Sequence, residues 1–121
     1  MQSLLCIGTF RFNCFLFILV AVVFNNPTDS GAVQLTQQNI DMTLASNELV
    51  FINFYADWCR FSNMLMPIYD EAAEEVAKDF PEAGKVVMGK VDCEKESSVA
   101  SRFHITKYPT LKVIILTNYI K

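Results

Sequence analysis

A chain of 121 residues, 52% of them hydrophobic, has room for one folded domain and no more. Its net charge of −3 is dispersed, with no stripe of Lys and Arg, which excludes an electrostatic grip on nucleic acid. Four cysteines and one histidine are too few for a disulfide-dense scaffold, and their spacing matches no zinc-ligand set.

Met1 to Phe24 carries a single charge, Arg11, ahead of the 13-residue apolar run Phe12–Phe24. Polar, turn-forming Asn25–Ser30 follows. This is the layout of a secretory signal peptide. Ser30 and Ala32 place small residues at the two positions signal peptidase inspects, so residues 1–32 are read as a leader cleaved after Ala32. Cleavage after Ser30 is the alternative. The apolar run falls short of the ~17–25 residues a membrane-spanning helix requires, so no stable span is expected after cleavage. Cys6 and Cys14 depart with the leader. Cys59 and Cys93 remain, and with His104 standing alone neither a metal nor another cofactor is expected.

Val33–Leu35 reads as a short strand, and Thr36 is placed to N-cap a helix over Gln37–Ser46. Leu49–Tyr55 is apolar and rich in β-branched and aromatic residues, a second strand. The pattern breaks at Ala56–Trp58. Helical periodicity then begins at Cys59 and runs to about Asp79, with Met64, Leu65, Ile68, Ala72 and Val76 as the buried stripe. Pro67 removes an i→i−4 bond within it and is expected to kink it. The acidic Asp70, Glu71, Glu74 and Glu75 are placed on its solvent face. Val86–Asp92 is a third strand and Ser97–Phe103 a short helix, with His104 at its end. Tyr108-Pro109-Thr110 then opens a fourth strand, Leu111–Leu116. The order βαβαβαβ implies an α/β layered sheet with mostly parallel strands.

The strand-to-helix break puts Cys59 at a helix N-terminus, solvent-accessible at its first turn. Unpaired N–H groups and the positive end of the helix dipole favour a thiolate there. Arg60 adds positive charge, Asp57 opposes it, and the Ser62 hydroxyl is placed to donate to the thiolate. Trp58-Cys59-Arg60-Phe61-Ser62 is similar to a thioredoxin-type redox site whose second cysteine is serine. In a C-x-x-C pair the second thiol resolves the mixed disulfide formed by the first. A hydroxyl cannot, so the spacing points to holding rather than turnover. Cys93 follows the third strand, toward the same sheet edge; it is read as a buried free thiol, with a regulatory thiol as the alternative.

Asn53-Phe54-Tyr55-Ala56-Asp57-Trp58-Cys59, Pro67, Lys90-Val91-Asp92-Cys93 and Tyr108-Pro109-Thr110-Leu111-Lys112 together resemble a thioredoxin-fold domain of the protein disulfide isomerase family. The likeness covers about Val33 to Ile114. It implies a three-layer α/β fold with a central mixed sheet and a catalytic cluster of Cys59 as nucleophile, Ser62 in place of the resolving cysteine, Arg60 and Trp58. It also implies a substrate-binding loop of Tyr108, Pro109 and Thr110, with Pro109 cis beside Cys59. Six residues before the nucleophile, where active relatives carry a proton-shuttling carboxylate, this chain has Asn53, read as a hydrogen-bonded core amide.

The resemblance further implies a chaperone of the endoplasmic reticulum lumen and early secretory pathway. Its partners would be client proteins with free cysteines and thiol oxidases, held as mixed disulfides for thiol-mediated retention and folding quality control. The alternatives are a monothiol oxidoreductase regenerated by glutathione and a non-functional truncated isoform. The family fold continues through an antiparallel strand and a closing helix, so residues 33–114 are expected to be an incomplete domain. Residues 115–121 are expected to be a divergent tail without a Lys-Asp-Glu-Leu-type signal.

Overall fold

Leu49–Tyr55 forms β2, and every residue from Ile52 to Ala56 is buried, as a strand packed on both faces requires. The computed structural model describes residues 31–116; residues 1–30 of the expected 1–32 leader and 117–121 of the expected 115–121 tail lie outside the described residues. Along the chain, β1 (Val33–Gln34) and α1 (Ile40–Ser46) precede β2, and α2 (Arg60–Asp79), β3 (Val86–Asp92), α3 (Ser97–Arg102) and β4 (Thr110–Ile115) follow it. The strands form one mixed sheet in the order β1-β3-β2-β4.

Strand period two divides the side chains of β2 between two cores. Val50, Ile52 and Phe54 join Val91, Leu35 and Cys93 beneath Ile40 of α1 and Val99 and Ala100 of α3. On the opposite face Phe51 and Met88 pack against Leu65, Tyr69, Ala72, Ala73 and Val76 of α2. This is the three-layer α/β arrangement implied by the sequence.

The sheet is mostly parallel and mixed, as expected, with one strand reversed. β1 and β2 both run parallel to β3, but β4 runs antiparallel to β2. Helix length is the cause. At ~1.5 Å per residue, α2 extends ~30 Å and can return the chain to the start of the sheet. The single short helix α3 spans only ~9 Å, against the ~23 Å of a seven-residue strand. The chain therefore re-enters the sheet from the end where β2 and β3 finish. That geometry delivers Tyr108-Pro109 to the end of β2, beside Cys59.

Three local expectations also shift. The first helix starts at Ile40 rather than Gln37, because the Asn39 side chain shapes a turn ahead of it. Asn39 Oδ1 accepts the Thr36 N–H at 2.8 Å while its Nδ2 donates to the Gln34 carbonyl at 3.0 Å. On α2, Met64 and Ile68 are exposed, and the buried positions are Ser62, Tyr69 and Ala73, with Leu65, Ala72 and Val76 half-buried. Met64, Ile68 and Phe61 lie on an adjoining arc of the helix that misses the β2–β3 surface. Tyr69 is polar at its tip, yet its hydroxyl lies 2.8 Å from the Phe51 carbonyl and 3.0 Å from that of Gly89, pinning helix to sheet. Asp70 is not on the solvent face: it pairs with Lys90 of β3 at 2.9 Å. Pro67 sits within α2 without ending it.

β4 forms one edge of the sheet. Leu111, Val113 and Ile115 register against Asn53, Phe51 and Leu49 and are all exposed.

Gly89 permits close packing of Leu35 across the sheet. A Cβ there would lie 2.5 Å from Leu35 Cδ1 and 2.8 Å from its Cγ, and Leu35 is fully buried. Gly89→Ala is therefore expected to destabilise the domain by about 1–3 kcal/mol. The drop in urea midpoint measures it, and an unchanged midpoint would show that Leu35 has an alternative packing.

Candidate functional site

The site begins where β2 runs out. Ala56 is buried, Asp57 and Trp58 turn outward, and the Cys59 N–H closes the turn on the Ala56 carbonyl at 3.0 Å. Cys59 is in extended conformation (φ −85°, ψ 116°) and is the N-cap of α2, while its carbonyl accepts the first helical bond from the Asn63 N–H at 3.1 Å. Asn63 Nδ2 fixes the turn by donating to the Asp57 carbonyl at 2.8 Å.

The opening N–H groups of α2 have no carbonyl partners within the helix, so the cysteine sulfur can take them. The Cys59 pKa is lowered chiefly by the Ser62 N–H, with further help from the Ser62 hydroxyl and the Phe61 N–H, against opposition from partial burial. Arg60 is exposed on the first turn and is not among the groups that set this shift. The thiolate is stabilised by backbone and hydroxyl donors, not by the neighbouring guanidinium.

Cys59 is more sheltered than expected, with only 9% of its surface accessible, although it belongs to neither core cluster. The cover comes from the returning loop. Cys59 Sγ lies 3.5 Å from the carbonyl oxygen of Tyr108, to which the thiol donates. The Tyr108–Pro109 peptide bond is cis. The exposed Trp58 ring meets the Tyr108 ring edge-on, 5.8 Å between centroids and 88° between planes. Thr110 starts β4 and turns its hydroxyl to the Lys107 carbonyl at 2.6 Å, bracing the loop rather than reaching the sulfur.

Ser62 is fully buried, and its Oγ accepts the Ala56 N–H at 3.4 Å. A group at this position is held on the first turn of α2 beside Cys59, and here it is an oxygen. Asn53 departs from expectation: it is fully buried, yet neither Oδ1 nor Nδ2 has a hydrogen-bond partner among the described residues.

Cys93 lies one residue beyond β3, its N–H on the Tyr55 carbonyl at 3.0 Å and its side chain within the α1–α3 core. Burial, followed by the Asp92 charge, pushes its thiol up to about 11. Both cysteines are free. Among the described residues no three His, Cys, Asp or Glu side chains are grouped to hold a metal, and no helix is long and apolar enough to cross a membrane.

The two thiols should therefore separate in a pH-resolved alkylation experiment. Cys59 is expected to react with iodoacetamide from below the ordinary thiol range, because its folded pKa is lowered. Cys93 is expected to stay inert in the native protein until the pH nears about 11. Mass spectrometry of the two peptides across pH 5–10 gives the profiles, and equal reactivity at neutral pH would contradict the geometry.

One feature of the rim was not singled out from the sequence. Phe61, next to the thiol on α2, is 68% exposed, and Met64 and Ile68 continue its apolar arc along the helix. The signal was present as apolar residues at spacing three and four, but it merged with the buried stripe.

A cysteine at a helix N-cap, beside a cis-proline loop at the end of a mixed sheet, is the layout of a thioredoxin-like domain. The chain belongs to the thioredoxin family, whose sequence model matches residues 31–119. It is 45% identical over 100 residues to endoplasmic reticulum resident protein 44 of Homo sapiens, a match covering 83% of this chain and 24% of that protein. The crystal structure of human ERp44 form I superposes with a TM-score of 0.69 at 44% identity, covering 73% of this chain and 23% of the human one. The first thioredoxin domain of mouse protein disulfide-isomerase A4 superposes with a TM-score of 0.64 at 29% identity, covering 72% and 60%. The chain thus spans about a quarter of the length of the ERp44 proteins it matches.

Proposed function

We propose that this domain holds client proteins of the endoplasmic reticulum and early secretory pathway as mixed disulfides through Cys59. The supporting observation is the pairing of a thiolate-stabilising N-cap with a buried hydroxyl, Ser62, where a resolving sulfur would sit. The similarity to ERp44 proteins supports the compartment and the class of partner.

The Cys59 thiolate attacks one sulfur of a disulfide, either within a client or between a client cysteine and a thiol oxidase. The Cys59–client bond forms, the original S–S bond breaks, and the other sulfur leaves as thiolate. Nothing is oxidised or reduced beyond this exchange. The Tyr108 carbonyl lies beside the sulfur, and the Tyr108-Pro109 loop offers backbone to an extended client segment, while Trp58 and Phe61 supply apolar contact beside it. Release needs an external thiol, because Ser62 has no sulfur to offer.

The test is to alkylate cells expressing the full chain and resolve it on non-reducing gels. Adducts that collapse on reduction are expected, with negligible turnover in a glutathione-coupled reductase assay. Sustained turnover with glutathione and no client adducts would replace holding with monothiol oxidoreductase chemistry.

A further inference from the structure

The described residues begin two positions before β1. Ala32 is 1% exposed and packs among Tyr69, Ala73 and Met88. Its N–H donates to Asp70 Oδ1 at 3.0 Å, and the same carboxylate holds Lys90 Nζ at 2.9 and 3.1 Å. Gly31 has φ +123°, and a Cβ there would lie 2.9 Å from Cβ, Cγ and Oδ1 of Asp70. Position 31 is therefore seated directly against the carboxylate, in a conformation and a space that only glycine fits.

Two bonds present residues of the size a leader peptidase accepts: Ser30–Gly31, preceded by Thr28 and Ser30, and Ala32–Val33, preceded by Ser30 and Ala32. Their products differ. Cutting after Ala32 strips a side chain from the core and removes the N–H that Asp70 accepts. Cutting before Gly31 keeps both and creates a cation next to a carboxylate that already binds one.

We propose that the leader is removed by hydrolysis of the Ser30–Gly31 bond, and that the resulting Gly31 α-ammonium docks on Asp70 as a second cation beside Lys90. Water adds across the amide: Ser30 departs with a new carboxylate, and Gly31 keeps the nitrogen as ammonium. This proposal rests on the leader reading of the apolar N-terminal run, and it is independent of the capture chemistry at Cys59.

N-terminal sequencing and intact mass of the full chain, expressed through a eukaryotic secretory pathway, test the site. A product starting at Gly31 is expected. A product starting at Val33, or at any other residue, overturns the proposal while leaving the leader reading intact; an unprocessed chain overturns both. A second measurement tests the docking. Acetylating the Gly31 amine removes its charge and is expected to lower the thermal midpoint by ~2 °C or more. Asp70→Asn is expected to abolish the difference between free and acetylated chains. Equal midpoints for the free and acetylated forms with Asp70 in place overturn the ammonium–Asp70 contact.

Discussion

Cys59→Ser is expected to abolish covalent client capture, whereas Cys93→Ser is expected to leave at least about half of it. The difference arises from two environments within one sheet end. Cys59 sits where α2 presents N–H groups to the sulfur, so its pKa is lowered and its thiolate is favoured relative to an ordinary cysteine. Cys93 is pushed up to about 11 by burial and Asp92, which leaves roughly one molecule in 10⁴ as thiolate at pH 7. Access reinforces that ratio, because Cys93 lies inside the core with Val91, Val99 and Ala100. Removing its sulfur costs packing rather than chemistry, since a buried cysteine behaves as a small hydrophobe. Non-reducing gels of alkylated cell extract read both variants, and thermal melts control for folding. Equal loss in two folded variants would move the capture chemistry away from Cys59.

How far the site could be read from the sequence depended on which interactions were local. The strand over Leu49–Tyr55, the break at Asp57-Trp58 and the helix from Cys59 follow from periodicity and local composition, and the structure reproduces them within a residue. The stripe on α2 was legible only in part. Leu65, Ala72 and Val76 do face the sheet, but Met64 and Ile68 do not, because the helix axis lies over β2 and β3 rather than over β4. Tyr69 escaped a hydropathy reading since its ring is core while its hydroxyl bridges two carbonyls on neighbouring strands. Asp70 escaped for the same reason: its partners, Lys90 and the Ala32 N–H, lie 20 and 38 residues away. The antiparallel β4 was implicit in the shortness of Ser97–Arg102, but a count of alternating elements does not weigh helix length. The sheltering of Cys59 by the Tyr108 carbonyl depends on that same return of the chain, so no local pattern around Cys59 contains it.

Ser62→Cys is expected to convert a lasting adduct into a transient one. Ser62 is fully buried on the first turn of α2, three residues after Cys59, and its hydroxyl helps lower the Cys59 pKa. A sulfur placed there would attack the Cys59–client bond intramolecularly, releasing the client thiolate and closing an internal disulfide between Cys59 and the introduced thiol. Well-oriented intramolecular groups reach effective concentrations of ~10⁵–10⁸ M. Even ~1 M, far below that range, outruns millimolar external thiol by ~10³. Two features hold the rate beneath the ceiling. Burial raises a thiol's pKa and reduces its thiolate fraction, and Asn53, a buried amide without a hydrogen-bond partner among the described residues, cannot accept a proton as a carboxylate could. Asn53→Asp on top of Ser62→Cys is therefore expected to speed release further. Acid-quenched, alkylated time courses of a preformed mixed disulfide measure each lifetime. If the Ser62→Cys adduct decays no faster than its parent, shielding by the Tyr108-Pro109 loop, rather than the missing sulfur, sets how long a client is held.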